Sequence, residues 1–364
     1  MQSANEFFRQ YQELEGLQAE GPIELIGQGM EGAVFDLGGD LVGKTWFNRS
    51  AAEVWPLQAF LNELSSQRLS FRTPEIRVVD EVDGRAVSIE RKLPGTPLRE
   101  AVESGLVSRD DALELFVEVV TALGGTSAGS ASRALPAAEE QTPFYTPHLP
   151  PDLSRNGRLR QDAPSVTSTS SHLPSDASSV TSTSSRLPSD ASSGPSWGEA
   201  LADLVLRRAV ASRQLLSEDL TGFDELVEVV VTRLREVVLA KASIVHGDIC
   251  QPNILVDPAL GGAAGGRRAG ATAVLDWGFL TTAGDNTFDA ATAAGFFDMY
   301  GPDAEALDAE LLERFEKLGH SRDRMHLYRV AYALITATIY SPTTRDGHYR
   351  WCLRNLTTLR HILT

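Results

Sequence analysis

Val245-His246-Gly247-Asp248-Ile249-Cys250-Gln251-Pro252-Asn253-Ile254-Leu255-Val256 is the stretch on which the reading of this chain turns. It sets His-Gly-Asp and, five residues after the Asp, an Asn between two short apolar runs, Ser243–Val245 and Ile254–Val256. Those runs predict two strands, and the polar residues between them predict a loop. At typical residue frequencies the four fixed positions coincide by chance in about one chain per thousand of this length. The chemistry of the residues is coherent. Asp248 can take the proton of a hydroxyl that attacks phosphorus. Asn253 can offer an amide oxygen to Mg²⁺ from the far side of the same loop. His246 reads as a structural hydrogen-bonding residue, and Cys250 as a small space-filling one.

Working outward, Leu275-Asp276-Trp277-Gly278 closes a further strand, Ala271–Leu275, twenty-three residues after Asn253. A carboxylate leaving a hairpin, followed by Gly, suits a second metal ligand, because Mg²⁺ takes a few carboxylate and amide oxygens together with phosphate and water. Far upstream, Gly27-Gln28-Gly29-Met30-Glu31-Gly32-Ala33-Val34 fits G-x-G-x-x-G-x-V. Gly27, Gly29 and Gly32 would let backbone amides approach phosphates closely. A strand precedes this loop and a strand follows it. That order disfavours a dinucleotide fold, which needs a helix there. Lys44 lies twelve residues after Gly32 on the next strand, and only four lysines occur in the chain. Its ammonium could reach the α/β-phosphates of a nucleotide. Such a lysine needs a carboxylate partner. Glu53 and Glu63 share the following helix, and their spacing of ten puts both on about the same face, so either can serve.

Gly27–Val34, Lys44, His246–Asn253 and Asp276–Gly278 occur in the order of a kinase. His-Gly-Asp stands where protein kinases carry His-Arg-Asp, and Asp-Trp-Gly where they carry Asp-Phe-Gly. The set resembles the aminoglycoside phosphotransferase family, whose relatives include choline, homoserine and fructosamine kinases. Ile89–Gly95 resembles that family's hinge, which implies Glu90 and Lys92 near the base. Gly284–Asp289 resembles the segment after its metal aspartate, which implies that Asp289 braces the catalytic loop. The resemblance implies an α+β, protein-kinase-like fold: a β-rich N-lobe over 1–93 and a mainly helical C-lobe over 94–364. It implies ATP or GTP and Mg²⁺ as cofactors and a small-molecule hydroxyl acceptor of the kind of an aminoglycoside or a related amino-sugar or amino alcohol. Asp248 would be the base and Lys44 a catalytic partner; Asn253 and Asp276 would be metal ligands. Two alternatives stand beside this: a non-catalytic nucleotide-binding regulator, and a protein Ser/Thr kinase. Loss of Lys44, Asp248 or Asp276 would mark the first, and none is lost. The second needs the missing Arg and a longer segment than that between Asp276 and Asp289.

The rest of the chain sets bounds. It has 364 residues, enough for two lobes and an extra segment. Acidic residues number 49 against 33 basic ones, a net charge of −16. That disfavours nucleic acid or an anionic membrane as partner, since both reward Lys and Arg. The acidic, Lys-poor composition fits a salt-rich cytoplasm and equally a GC-rich genome. Asp285, Asp289, Asp298, Asp303, Glu305 and Asp308 make a cationic acceptor electrostatically reasonable. Two cysteines, Cys250 and Cys352, supply neither a disulfide framework nor a Cys-based zinc site. The N-terminus lacks a signal pattern and no run is long enough to span a membrane, so a cytoplasmic protein is expected.

Helices are predicted over 5–20, 51–66, 109–123, 197–216 and 223–241, and through most of 288–364. Strands are predicted at 23–26, 33–37, 41–46, 76–80 and 86–90, with a hinge at Pro94–Pro97. Residues 124–196 are rich in Ser, Thr, Pro, Ala and Gly and carry a 14-residue tandem repeat over Ser165–Ser178 and Ser179–Ser192. Such composition buries too little apolar area to offset the entropy of ordering, so a disordered insertion is expected.

Overall fold

The computed structural model describes residues 3–17, 23–29, 31–135, 196–257 and 270–363. The tandem repeat, most of the insertion and residues 258–269 lie outside the described residues.

The chain opens with helix α1 (Ala4–Leu14), started by a Ser3/Glu6 capping box. Strands β1 (Glu24–Gln28), β2 (Gly32–Gly38) and β3 (Leu41–Trp46) follow. Helix α2 (Ala51–Ser65) then precedes β4 (Ile76–Val82) and β5 (Arg85–Arg91). The five strands form one antiparallel sheet in the order β1-β2-β3-β5-β4. The β4–β5 turn places Asp83 and Gly84 at φ 54° and 73°, the left-handed pair that a tight hairpin requires.

The period of two in β3 decides the use of each face. Val42, Lys44 and Trp46 look into the cleft beneath the sheet. Leu41 and Gly43 look outward, where α1 packs. Phe8 of α1 is fully buried with Leu37, Leu41, Val87 and Ile89. Gly43 permits this, because a Cβ there would stand 2.6 Å from the Phe8 ring. Gln12 donates to the Leu37 carbonyl at 2.8 Å and fixes the helix along the sheet.

A short strand, β6 (Thr96–Pro97), occupies the expected hinge and pairs with β8 below. Helices α3 (Leu98–Glu103), α4 (Arg109–Gly124) and α5 (Ser130–Ala134) continue the chain. The insertion therefore begins later than its composition suggested. Thr126 and Ser132 are buried, the Ile244 N–H donates to Thr126 Oγ1 at 2.9 Å, and Ala128 donates to the Ala242 carbonyl at 3.2 Å. Small polar residues that read as a loop are instead packed against the core.

After residue 196 come α6 (Trp197–Asp219) and α7 (Phe223–Arg235). The second stops six residues short of the expected end. Strand β7 (Ser243–Val245) leads to a 3-10 turn (Gln251–Asn253), then β8 (Ile254–Val256), β9 (Ala271–Val274) and β10 (Thr282–Gly284). Strand β10 returns to pair with β7, and β6-β8-β9 form a three-stranded sheet. Helices α8 (Thr287–Phe296), α9 (Ala304–Lys317), α10 (Arg322–Thr336) and α11 (Gly347–Leu363) complete the described chain. None of the described helices is long and apolar enough to cross a membrane.

Trp197 plugs the lower part: a Cβ on Gly284 would lie 2.5 Å from its ring, and its indole N–H donates to the Tyr328 hydroxyl at 3.0 Å. Apolar residues of α2, every third or fourth along it, join one core with α4, α6, α7, α8 and α10. Phe60 against Trp277, with ring centroids 5.7 Å apart, carries that core across the two lobes.

Phe8→Ala should lower stability by about 3–5 kcal/mol, the cost of emptying a buried aromatic site. Urea unfolding measures it. A loss below about 1 kcal/mol would show that α1 contributes no packing to the sheet.

Candidate active site

The loop between β7 and β8 is held from three directions. Asp289, near the start of α8, accepts from the His246 and Gly247 N–H groups, each at 2.9 Å. Thr281 Oγ1 donates to the His246 carbonyl at 2.7 Å and accepts from the Gly278 N–H at 2.9 Å. His246 Nδ1 accepts from the Asp248 N–H at 3.1 Å, which places the ring proton on Nε2, 2.9 Å from the Leu275 carbonyl. Burial pushes the His246 pKa down to about 4, so the ring is neutral. It is a strut, as its position implied. Its ring lies 4.4 Å from that of Trp277. Gly247 sits at φ 88°, and a Cβ there would come within 2.5 Å of the Phe279 carbonyl.

Asp248 emerges from this frame with its carboxyl facing Asn253. The Asn253 amide donates to the Asp248 carbonyl at 3.0 Å and to Oδ2 at 3.4 Å. The Asn253 amide oxygen is thereby turned away from Asp248. Burial and the charge of Asp276 push the Asp248 carboxyl up to about 7. Asp276 itself has φ 63°, a left-handed conformation that Asp tolerates better than most residues. Asp289 is raised to about 7 by burial, against the pull of its two backbone donors.

Lys44, Glu90, Lys92, Asn253 and Asp276 all line one cavity of about 360 Å³ between sheet and helices. Its remaining walls are largely apolar: Ile26, Val34, Val42, Leu93, Leu255 and Leu275. This is the make-up of a pre-formed small-molecule site, apolar with a few convergent polar groups. Of the loop glycines, Gly32 is the one that packing requires, since a Cβ would stand 2.1 Å from the Thr45 carbonyl. At Gly27 and Gly29 a Cβ would meet nothing within 4 Å, and the Gly29 N–H closes the loop on the Gly32 carbonyl at 2.9 Å. Lys92 is tied to Asp36 at 2.5 Å, and Glu90 accepts from the Ser88 hydroxyl at 2.7 Å.

The expected partner of Lys44 needs correction. Glu53 caps α2, taking the Ser50 N–H at 2.8 Å and its hydroxyl at 2.7 Å, which hold its carboxyl below the usual range. Glu63 accepts from the N–H groups of Gly129, Ala131 and Ser132 at 3.0, 2.8 and 3.3 Å. Both carboxylates are committed elsewhere. Lys44 Nζ instead lies 3.6 Å from the centre of the Trp46 ring, a cation–π contact. The carboxylate whose field it shares is Glu31, within the glycine loop. Burial raises the Glu31 carboxyl, and Arg49 and Lys44 oppose that. The Glu31 side chain is 13% exposed and pairs with Arg49 at 2.7 Å. The sequence held one clue to it, an acid at a loop position that should face phosphates.

The acids proposed to greet a cationic acceptor are largely engaged. Asp285 binds Arg324 and the Tyr328 hydroxyl, Asp303 binds Arg109, and Asp308 binds the buried Arg329.

The profile of the phosphotransferase enzyme family (APH) matches residues 22–328. No curated protein sequence matches. Among solved structures, wild-type aminoglycoside 2'-phosphotransferase-IIIa, determined as its GDP complex, aligns with TM-score 0.51 and 12% identity over 100% of this chain and 99% of that one. A point mutant of the same protein gives 0.52 and 12% over 99% and 97%. An aminoglycoside phosphotransferase from Streptomyces rimosus gives 0.48 and 16% over 86% and 92%. The two above 0.5 share the kinase-like fold.

Asp289→Asn replaces one acceptor oxygen by a donor that faces a backbone N–H. Stability should fall by about 1–3 kcal/mol, the cost of an unmatched buried polar group. Equilibrium denaturation reads it, and an unchanged midpoint would mean that those two hydrogen bonds bear no strain in the fold.

Proposed function

This chain belongs to the phosphotransferase enzyme family, and on that premise we propose that it moves the γ-phosphoryl group of ATP or GTP to a hydroxyl of a small molecule. The observation that carries the reading is the convergence of Lys44, Asn253 and Asp276 on one cavity, with Asp248 hydrogen-bonded to Asn253 beside it.

The base would lie among Ile26, Val34, Val42, Leu93 and Leu255, with Glu90 and Lys92 at the edge. The glycine loop and Lys44 hold the phosphates. Asp248 accepts the proton of the attacking hydroxyl and aligns its oxygen with the γ-phosphorus. A carboxyl raised to about 7 by burial and Asp276 is a stronger base than an ordinary carboxylate and still largely ionised just above neutrality. The donor set fits Mg²⁺: Asp276 gives a carboxylate, and Asn253 gives the amide oxygen left over once its nitrogen has bonded Asp248. Bound Mg²⁺ would neutralise charge on the phosphate oxygens. Positioning and charge neutralisation carry most of the rate, because the protein makes no covalent bond to the phosphoryl group.

GTP stands beside ATP because the similar 2'-phosphotransferase was determined with GDP. The acceptor class follows the family: an amino-sugar, amino alcohol or related hydroxyl compound. A protein hydroxyl is disfavoured. The segment between Asp276 and Asp289 is occupied by β10 pairing with β7, which leaves no length for an activation loop.

Labelled ATP and GTP, each with Mg²⁺, should be offered a panel of amino-sugars, amino alcohols and sugars. Transfer to one class is expected. Asp248→Ala should cut it about 10²–10⁴-fold while nucleotide affinity holds. Removing Mg²⁺ with EDTA should abolish transfer in both proteins. Equal turnover in Asp248→Ala would refute the base assignment.

A further inference from the structure

Arg49 lies in the turn between β3 and α2, five residues past Lys44. Its Nη2 donates to Glu31 Oε1 at 2.7 Å. Its Cζ stands 5.4 Å from the centre of the Trp46 ring, the same ring that carries Lys44 Nζ at 3.6 Å. The pair sits directly over the Asp276-Trp277-Gly278 turn. A Cβ on Gly278 would be 3.4 Å from Arg49 Nη2 and 3.8 Å from Glu31 Oε2. The Ala86 N–H donates to the Arg49 carbonyl at 2.7 Å and fixes the root of the side chain.

Two features of this pair call for an explanation. Glu31 Oε2 is buried with no hydrogen-bond partner among the described residues. Its carboxylate also feels the charges of Lys44 and Asp276, two residues that line the cavity where nucleotide phosphates would have to come. An anion fixed there repels phosphate, and an orphaned buried oxygen is a destabilising arrangement that departure to water would relieve. A guanidinium matches phosphate as well as carboxylate, through the same paired N–H groups.

We propose that Arg49 is a phosphate-binding residue of the nucleotide site, that Glu31 occupies it in the nucleotide-free protein, and that the terminal phosphates of the nucleotide displace the Glu31 carboxylate. This rests on the nucleotide-site reading above. The exchange is anion for anion at one cation, so no charge is left unmatched. It also makes the glycine loop sense its ligand: Glu31 leaves Arg49 only when a phosphate chain long enough to reach the guanidinium has entered. Nucleosides, which lack that chain, leave the pair intact.

Calorimetric affinities for Mg-ATP, Mg-GTP and the two parent nucleosides, on the full chain, test this. Arg49→Gln should weaken the preferred triphosphate at least tenfold and leave its nucleoside unchanged. Arg49→Lys should fall between. Glu31→Gln should tighten the triphosphate several-fold, again with the nucleoside unchanged. The nucleoside values show that each variant retains its site, so a merely structural role would move both ligands together. Triphosphate affinity unaltered in Arg49→Gln, or weakened in Glu31→Gln, would overturn the exchange while the nucleotide site stands. Failure of the unsubstituted protein to bind any of the four ligands would overturn the nucleotide site and the exchange together.

Discussion

A single buried carboxylate organises the candidate active site. Asp289 accepts the N–H groups of His246 and Gly247 and so ties the start of α8 to the loop that carries Asp248. Neither donor has water to turn to, since His246 and Asp289 are both wholly buried. Buried N–H groups are rarely left unpaired, so the loop is confined to the backbone path that reaches this carboxylate. The constraint then propagates. His246, fixed at its N–H, sets its ring between the Asp248 amide and the Leu275 carbonyl and thereby positions the Asp276 turn. Thr281 closes the circuit from that turn back to His246. The candidate base and the candidate metal carboxylate come from segments some thirty residues apart, yet their spacing is set by hydrogen bonds to one strut.

What the sequence made legible follows from how local each feature is. His-Gly-Asp and the Asn five residues on lie in one loop, and the β7 and β8 strands around it read from short apolar runs. Lys44 follows from strand alternation after a glycine loop. The pairing of Lys44 was not legible, because helical spacing alone put Glu53 and Glu63 on the same face. Each was claimed by something the spacing does not contain: the cap at Ser50 for one, and three N–H groups from 129–132 for the other. The position of Glu31 depends on how a loop folds over, which has no periodicity to read. The 124–135 stretch misled for the opposite reason. Its small polar residues match a linker in composition, and only burial of Thr126 and Ser132 reveals that they pack.

Net charge proved a weak guide to the site. A surplus of acids suggested a welcome for a cationic acceptor. In the folded chain Asp303, Asp285 and Asp308 face Arg109, Arg324 and Arg329, and the last of these is only 3% exposed. Opposite charges that meet in pairs contribute little to the field a ligand feels at a distance. These pairs therefore leave little unbalanced negative charge at those positions to draw in a cation.

The described residues on either side of the insertion are fastened to the core in different ways. On the leading side Glu63 grips the backbone of 129–132. On the returning side the Trp197 ring fills the space above Gly284 and its indole bonds Tyr328. Between such anchors a connecting segment can grow cheaply, at about 0.6 kcal/mol per doubling of its length. The near-identical 14-residue copies at 165–178 and 179–192 are the mark of one such growth event. Gain or loss of one whole 14-residue unit would leave the residues at both anchors unchanged.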